Sequence, residues 1–184
     1  MPLFARWRAE RDLRRRALAY VDSLLEEPTD ADAQWLAEKA TRGDADHARW
    51  ELRYARRATG LLSAERDALD DRTASAVARE ISESWGKDRN IAAGKRHIAE
   101  QQFNLRLRAL NQALTARSAP EPTGTRLGRA LLLGAGAEAL PTADVDRAGA
   151  ILSRYLEMAN ETLRKVFGTA TLPEDLPPSA IRMP

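Results

Sequence analysis

Apolar side chains recur every three to four residues through nearly the whole chain, and no stretch alternates Val, Ile, Thr and aromatic residues with polar ones. The first spacing lines one face of an α-helix; the second is what a half-buried strand needs. An all-α fold follows as the expectation. It takes the form of a compact antiparallel bundle of about six or seven helices, two of them long. No repeat of fixed period is visible, and the apolar positions keep no strict heptad, so a simple two-stranded coiled coil is not expected.

Start and stop residues divide the pattern. The first predicted helix runs from Leu3 to Glu26, with Leu13, Ala17, Tyr20, Val21 and Leu24 on one face, and Pro28 breaks the chain after it. The second covers Asp30–Arg42, where Gly43 and Asp44 supply a stop and a new cap. The third and first of the long pair covers Ala45–Asp70, its apolar arc holding Trp50, Tyr54, Ala58, Leu62 and Leu69. A short fourth helix spans Ala74–Trp85 and stops at Gly86. The fifth, Asp88–Arg117, is the second long one. Its main stripe runs through Phe103, Leu107, Leu110 and Leu114, and a second through Ile91, Ile98 and Leu105. Two stripes predict a central helix packed on two sides. After the linker Ser118–Gly124 come a sixth helix over Thr125–Glu138 and a seventh over Ala143–Phe167. The domain reading is a main bundle over 1–117, a C-terminal helical pair over 125–168 packed on it, and an extended tail over 169–184, one structural domain in all.

With 43% apolar residues the chain has material for a core, and 29 basic against 27 acidic residues give no net charge that would by itself imply a polyanionic partner. The absence of cysteine removes disulfides, thiolate metal sites and cysteine nucleophiles, and fits a cytoplasmic location. The longest apolar run, Ala130–Ala137, is far below the roughly 18 residues of a membrane span.

Few residues stand out for chemistry. Glu51 projects into the middle of the apolar arc of the third helix. A carboxylate there must be paired or take up a proton, since desolvating a lone charge is costly. His47 stands one turn before it, and Arg14, set within an apolar arc of the first helix, is the partner expected. Together the three form either a register-fixing buried ion pair or the polar floor of a ligand cleft. His97 with Glu100 makes a second helical His–carboxylate pair, but neither pair has the Glu-x-x-His order of a di-iron bundle, and no metal or other cofactor is expected. Trp50 and Tyr54 beside Arg53 and Arg57 form an interface cluster if exposed, and a core cluster if buried. Arg49, Arg56, Lys95, Arg96, Arg106 and Arg108 are the candidate phosphate contacts, although no helix-turn-helix, zinc-finger or RNA-binding signature accompanies them.

The segment Leu3–Arg16 mixes Phe4 and Trp7 with six arginines, as interfacial anchors do. Glu10, Asp12 and the smooth continuation into Leu13 favour a first helix docked on the bundle instead. Phosphate loops, nucleophile elbows and clustered histidines are missing from the sequence. The functional expectation is a non-enzymatic helical protein-interaction, adapter or assembly protein, binding a partner or another copy of itself. The alternatives are a nucleic-acid-associated protein using its arginine faces and a ligand- or metal-binding bundle.

Overall fold

The computed structural model describes residues 3–67, 70–92, 94–116 and 120–168, and within them every regular element is an α-helix. The order is α1 (Leu3–Leu24), α2 (Asp30–Lys39), α3 (Ala45–Asp67), α4 (Asp71–Lys87), α5 (Arg96–Thr115), α6 (Thr123–Gly134) and α7 (Thr142–Phe167). Four helices have 20 or more residues, so the pair expected to be long has company in α1 and α7, the latter being the longest at 26. None of the described helices is long and apolar enough to cross a membrane. The extended tail expected at 169–184 and the arc position of Leu69 lie outside the described residues.

Capping side chains fix the starts of α2, α3 and α4. Thr29 accepts from the Asp32 amide at 3.2 Å to open α2, and Asp44 accepts from the His47 amide at 2.9 Å to open α3. Asp70 accepts from the Thr73 amide at 2.7 Å, so α4 starts earlier than its apolar pattern suggests. It also runs through Gly86 to Lys87, and α5 begins only at Arg96. The intervening loop is held by Asp88, which accepts from the backbone and side-chain nitrogens of Asn90 at 3.0 and 3.2 Å. An Asp that bonds two residues ahead offers the backbone a turn in place of a helix.

The central helix is α3, not α5. It packs against all six other helices, and every residue from Tyr54 to Ala64 is buried. The sequence hid this because α3 carries arginines on the side that looked solvated. Arg56 is buried nonetheless, donating to the Ser23 carbonyl at 2.9 Å and the Glu26 carboxylate at 2.6 Å, and so capping the open carbonyls that end α1. On α5 the main stripe is inward, with Phe103 and Leu110 buried, while Ile98 and Leu105 of the second stripe stay 44% and 49% exposed.

The α6 and α7 helices form a tight antiparallel pair whose core is continuous with that of α1–α5. Their contact depends on two glycines. A Cβ on Gly128 would stand 2.0 Å from the Val145 carbonyl oxygen, and one on Gly149 would stand 2.4 Å from that of Gly124. Backbone approaches backbone here at a distance only glycine permits.

Candidate functional site

A cavity of about 580 Å³ opens between α5 and α6, with α3 beneath it. Ala55, Leu110 and Leu131 belong to its lining, which is mostly apolar. Leu105 of α5 and Leu133 of α6 stand at its rim, 49% and 55% exposed. One end is polar: Arg126 and Arg129 of α6 and Glu121 before it. Arg129 pairs with Glu121 at 2.9 Å, and Arg126 donates to the Ala113 carbonyl at 2.8 Å near the end of α5. The Arg126 charge therefore faces backbone carbonyls, not a carboxylate.

Glu51 and Arg106 sit at the other end. The Glu51 side chain is only 3% exposed and takes a two-pronged bond from Arg106, with Nη2 to Oε1 at 2.6 Å and Nε to Oε2 at 2.9 Å. Arg106 also donates to the Gln102 amide oxygen at 2.5 Å and to the Gly134 carbonyl at 3.0 Å, where α6 ends. His47 Nε2 lies 3.3 Å from Glu51 Oε1. One carboxylate and one guanidinium thus tie α3, α5 and α6 together, a geometry in which the planar fork matches both oxygens.

Arg14 is not the partner of Glu51. It turns toward α4 and pairs with Glu80 at 3.0 Å and Glu83 at 3.1 Å, because α1 packs on α4 while the Glu51 face of α3 meets α5. Glu80 is itself buried, a second interior carboxylate that the sequence reading passed over. The signal was present: Glu80 lies three residues after Val77 and four before Ser84, within the arc that Ile81 and Trp85 share.

Trp50, Tyr54, Arg53 and Arg57 come together, but largely inward. Trp50, Tyr54, Trp85 and Phe103 form a chain of rings with centroids 5.6, 5.9 and 5.3 Å apart. Arg53 lies over Trp50 at 4.7 Å and binds Glu27 with both prongs. Arg57, 3% exposed, lies over Trp85 at 4.0 Å and donates through Nη2 to Asp88 at 2.9 Å, while its Nε and Nη1 have no partner among the described residues. Burial pushes the Arg57 guanidinium below its ordinary pKa, against the opposing pull of Asp88.

The candidate phosphate contacts are scattered and mostly engaged. Arg49 pairs with Asp30 and Asp46, Arg56 with Glu26, Arg96 with Glu100, and Arg106 with Glu51. Lys95 and Arg108 are exposed without a carboxylate partner among the described residues. Arg49 and Arg56 belong to α3 and contact the α1–α2 region, so the six do not share one surface. Among the described residues no three His, Asp or Glu side chains converge as a metal site requires. Comparison with protein-family models, curated proteins and solved structures finds no match to this chain.

Proposed function

We propose that the chain is a protein-interaction module that receives an amphipathic helix of a partner along α5, over the cavity between α5 and α6. The observation that carries this reading is the apolar surface of Ile98, Leu105 and Leu133, 44%, 49% and 55% exposed, around an open and mostly apolar depression. Singly exposed apolar side chains need no explanation, but Leu105 and Leu133 flank one cavity and Ile98 extends the same face of α5 beyond it.

The shape of the patch argues for a polypeptide over a small ligand. Ile98 lies outside the cavity lining, two helical turns or roughly 10 Å before Leu105 on the same face. A molecule filling the cavity would leave Ile98 in water; a helix laid along α5 covers all three side chains. Because no sheet edge is present among the described residues, the partner has no strand to extend, which favours a helix laid in a groove. Charge sets its composition. Arg96, Arg106 and Arg129 already hold Glu100, Glu51 and Glu121, which leaves Arg108 and Arg126 as the α5 and α6 cations without a carboxylate partner among the described residues. An acidic polar face on the partner complements that surface.

A fluorescein-labelled peptide helix, leucine on one face and glutamate elsewhere, tests the proposal by anisotropy. It should bind the native protein, and binding should weaken with salt. Leu105→Glu with Leu133→Glu should weaken it by at least about tenfold, as loss of central apolar anchors does. Failure to bind, or equal binding by the double variant, would overturn the reading. Light scattering over a concentration series separates self-association: a dimer abolished by the same double variant makes the partner a second copy of this chain.

A further inference from the structure

The first helix is docked over only part of its length. Its inward residues Ala17, Tyr20, Val21 and Leu24 are buried and Leu13 is half-buried, whereas every residue from Arg6 to Arg11 is exposed. Within that exposed stretch Trp7 keeps 59% of its surface in contact with solvent, the largest value for any big apolar side chain described. The expected seating of the first helix on the bundle therefore holds by burial from Leu13 onward, and the two turns before it stay exposed, held to α4 by the Arg72–Glu10 pair.

The charges on this face are unevenly matched. Arg14 holds Glu80 and Glu83, Arg15 and Arg16 share Asp12, and Arg72 holds Glu10. Arg6, Arg8 and Arg11 have no carboxylate partner among the described residues; Arg11 instead stacks on Trp7 at 5.0 Å. At 100° per residue Arg6 and Arg8 flank Trp7 on either side. Leu18, three turns further on and 41% exposed, returns to nearly the same angle as Trp7.

We infer that this face of α1 is a docking surface for an anionic lipid bilayer. The indole of Trp7 and the side chain of Leu18 enter the headgroup region, and Arg6, Arg8 and Arg11 meet lipid phosphates. Tryptophan with arginine is the combination that suits a water–hydrocarbon boundary, where an amphipathic ring rests among headgroups and cations attract anionic lipid. A single-stranded nucleic acid offers the same phosphates but uses an aromatic side chain through its open face. Arg11 already lies over the Trp7 ring, and both side chains line a groove between α1 and α4. A nucleic acid also has no use for Leu18, whereas a bilayer does. This surface is separate from the α5–α6 groove and does not depend on it.

Co-sedimentation of the full chain with vesicles tests the inference. Vesicles of phosphatidylcholine with phosphatidylserine should pellet the protein, vesicles of phosphatidylcholine alone should not, and salt should release it. Removing one arginine should cost roughly fivefold in partitioning, so Arg6→Gln with Arg8→Gln should cost on the order of twentyfold. Trp7→Ala should weaken pelleting as well. All three sites are exposed, so circular dichroism and melting should not change, while Leu105→Glu with Leu133→Glu should pellet like the native protein. No pelleting with anionic vesicles, or pelleting unaffected by both Trp7→Ala and the arginine pair, overturns the inference. So does displacement of the protein from vesicles by single-stranded RNA bound through the same arginines.

Discussion

Replacing Arg106 by methionine isolates the interaction that joins three helices. Methionine keeps much of the arginine stem but removes the guanidinium, and with it both prongs to Glu51 and the bond to the Gly134 carbonyl. Glu51 stays behind with a side chain only 3% exposed and, as its remaining charged or hydrogen-bonding partner among the described residues, His47 at 3.3 Å. An interior carboxylate stripped of its partner costs about 3–5 kcal/mol. In a chain of this length each kcal/mol moves the melting temperature by about 2–4 °C, so Arg106→Met should lower Tm by about 6–20 °C. Thermal and urea unfolding followed by circular dichroism at 222 nm measures it. The companion variant Glu51→Met/Arg106→Met removes both charges and should recover most of the loss, since an apolar pair of similar volume often equals or exceeds a buried ion pair in stability. A loss below about 1 kcal/mol in the single variant, or a double variant as unstable as the sum of its parts, would mean that Glu51 and Arg106 are not a coupled interior pair, because contacting charges are non-additive.

Three further outcomes follow from the same geometry. Gly128→Ala gains helix propensity yet drives a Cβ against the Val145 carbonyl, so urea denaturation should show a net loss of about 1–3 kcal/mol, opposite to an ordinary Gly→Ala change in a helix. All three tyrosines have raised pKa values; burial is the main cause, and it pushes Tyr155 up to about 12. Folding then favours the neutral phenol: Tyr155 contributes full stability below the unfolded value near 10, and about 2–3 kcal/mol is lost as pH climbs from there to about 12. Absorbance at 295 nm should therefore rise only as the helix signal collapses, and a normal titration near pH 10 with circular dichroism intact would contradict this. Asp70→Ala removes the side chain that accepts from the Thr73 amide and should cost about 1 kcal/mol by urea unfolding, with no change in peptide or vesicle binding.

Part of the candidate site was written in the sequence. The burial of Glu51 follows from its angle on an apolar arc, and the apolar character of Ile98 and Leu105 follows from their spacing. Their fates did not follow. The same two-stripe pattern on α5 is compatible with a helix packed on both sides and with one that leaves a stripe bare. Leu133 falls inside the helix expected over Thr125–Glu138, and only the placement of α6, which ends at Gly134, beside α5 makes it the rim of a cavity. The cluster of Trp50, Tyr54, Arg53 and Arg57 was equally compatible with core and interface until α4 brought Trp85 and Phe103 of α5 joined the ring chain.

Helical class and most helix limits were set by the chain alone, because they depend on residues within about four positions of one another: the apolar spacing, Thr29, Asp44 and the prolines. Packing of the helices selected every pairing between distant charges, the central place of α3 and the need for glycine at positions 128 and 149. Arg106 meets Glu51 across 55 residues and Arg14 meets Glu80 across 66, separations at which no local rule selects one arginine from many. The physical reason is that helix periodicity orients a side chain around its own axis, while the choice of what it faces is made only when the helices pack.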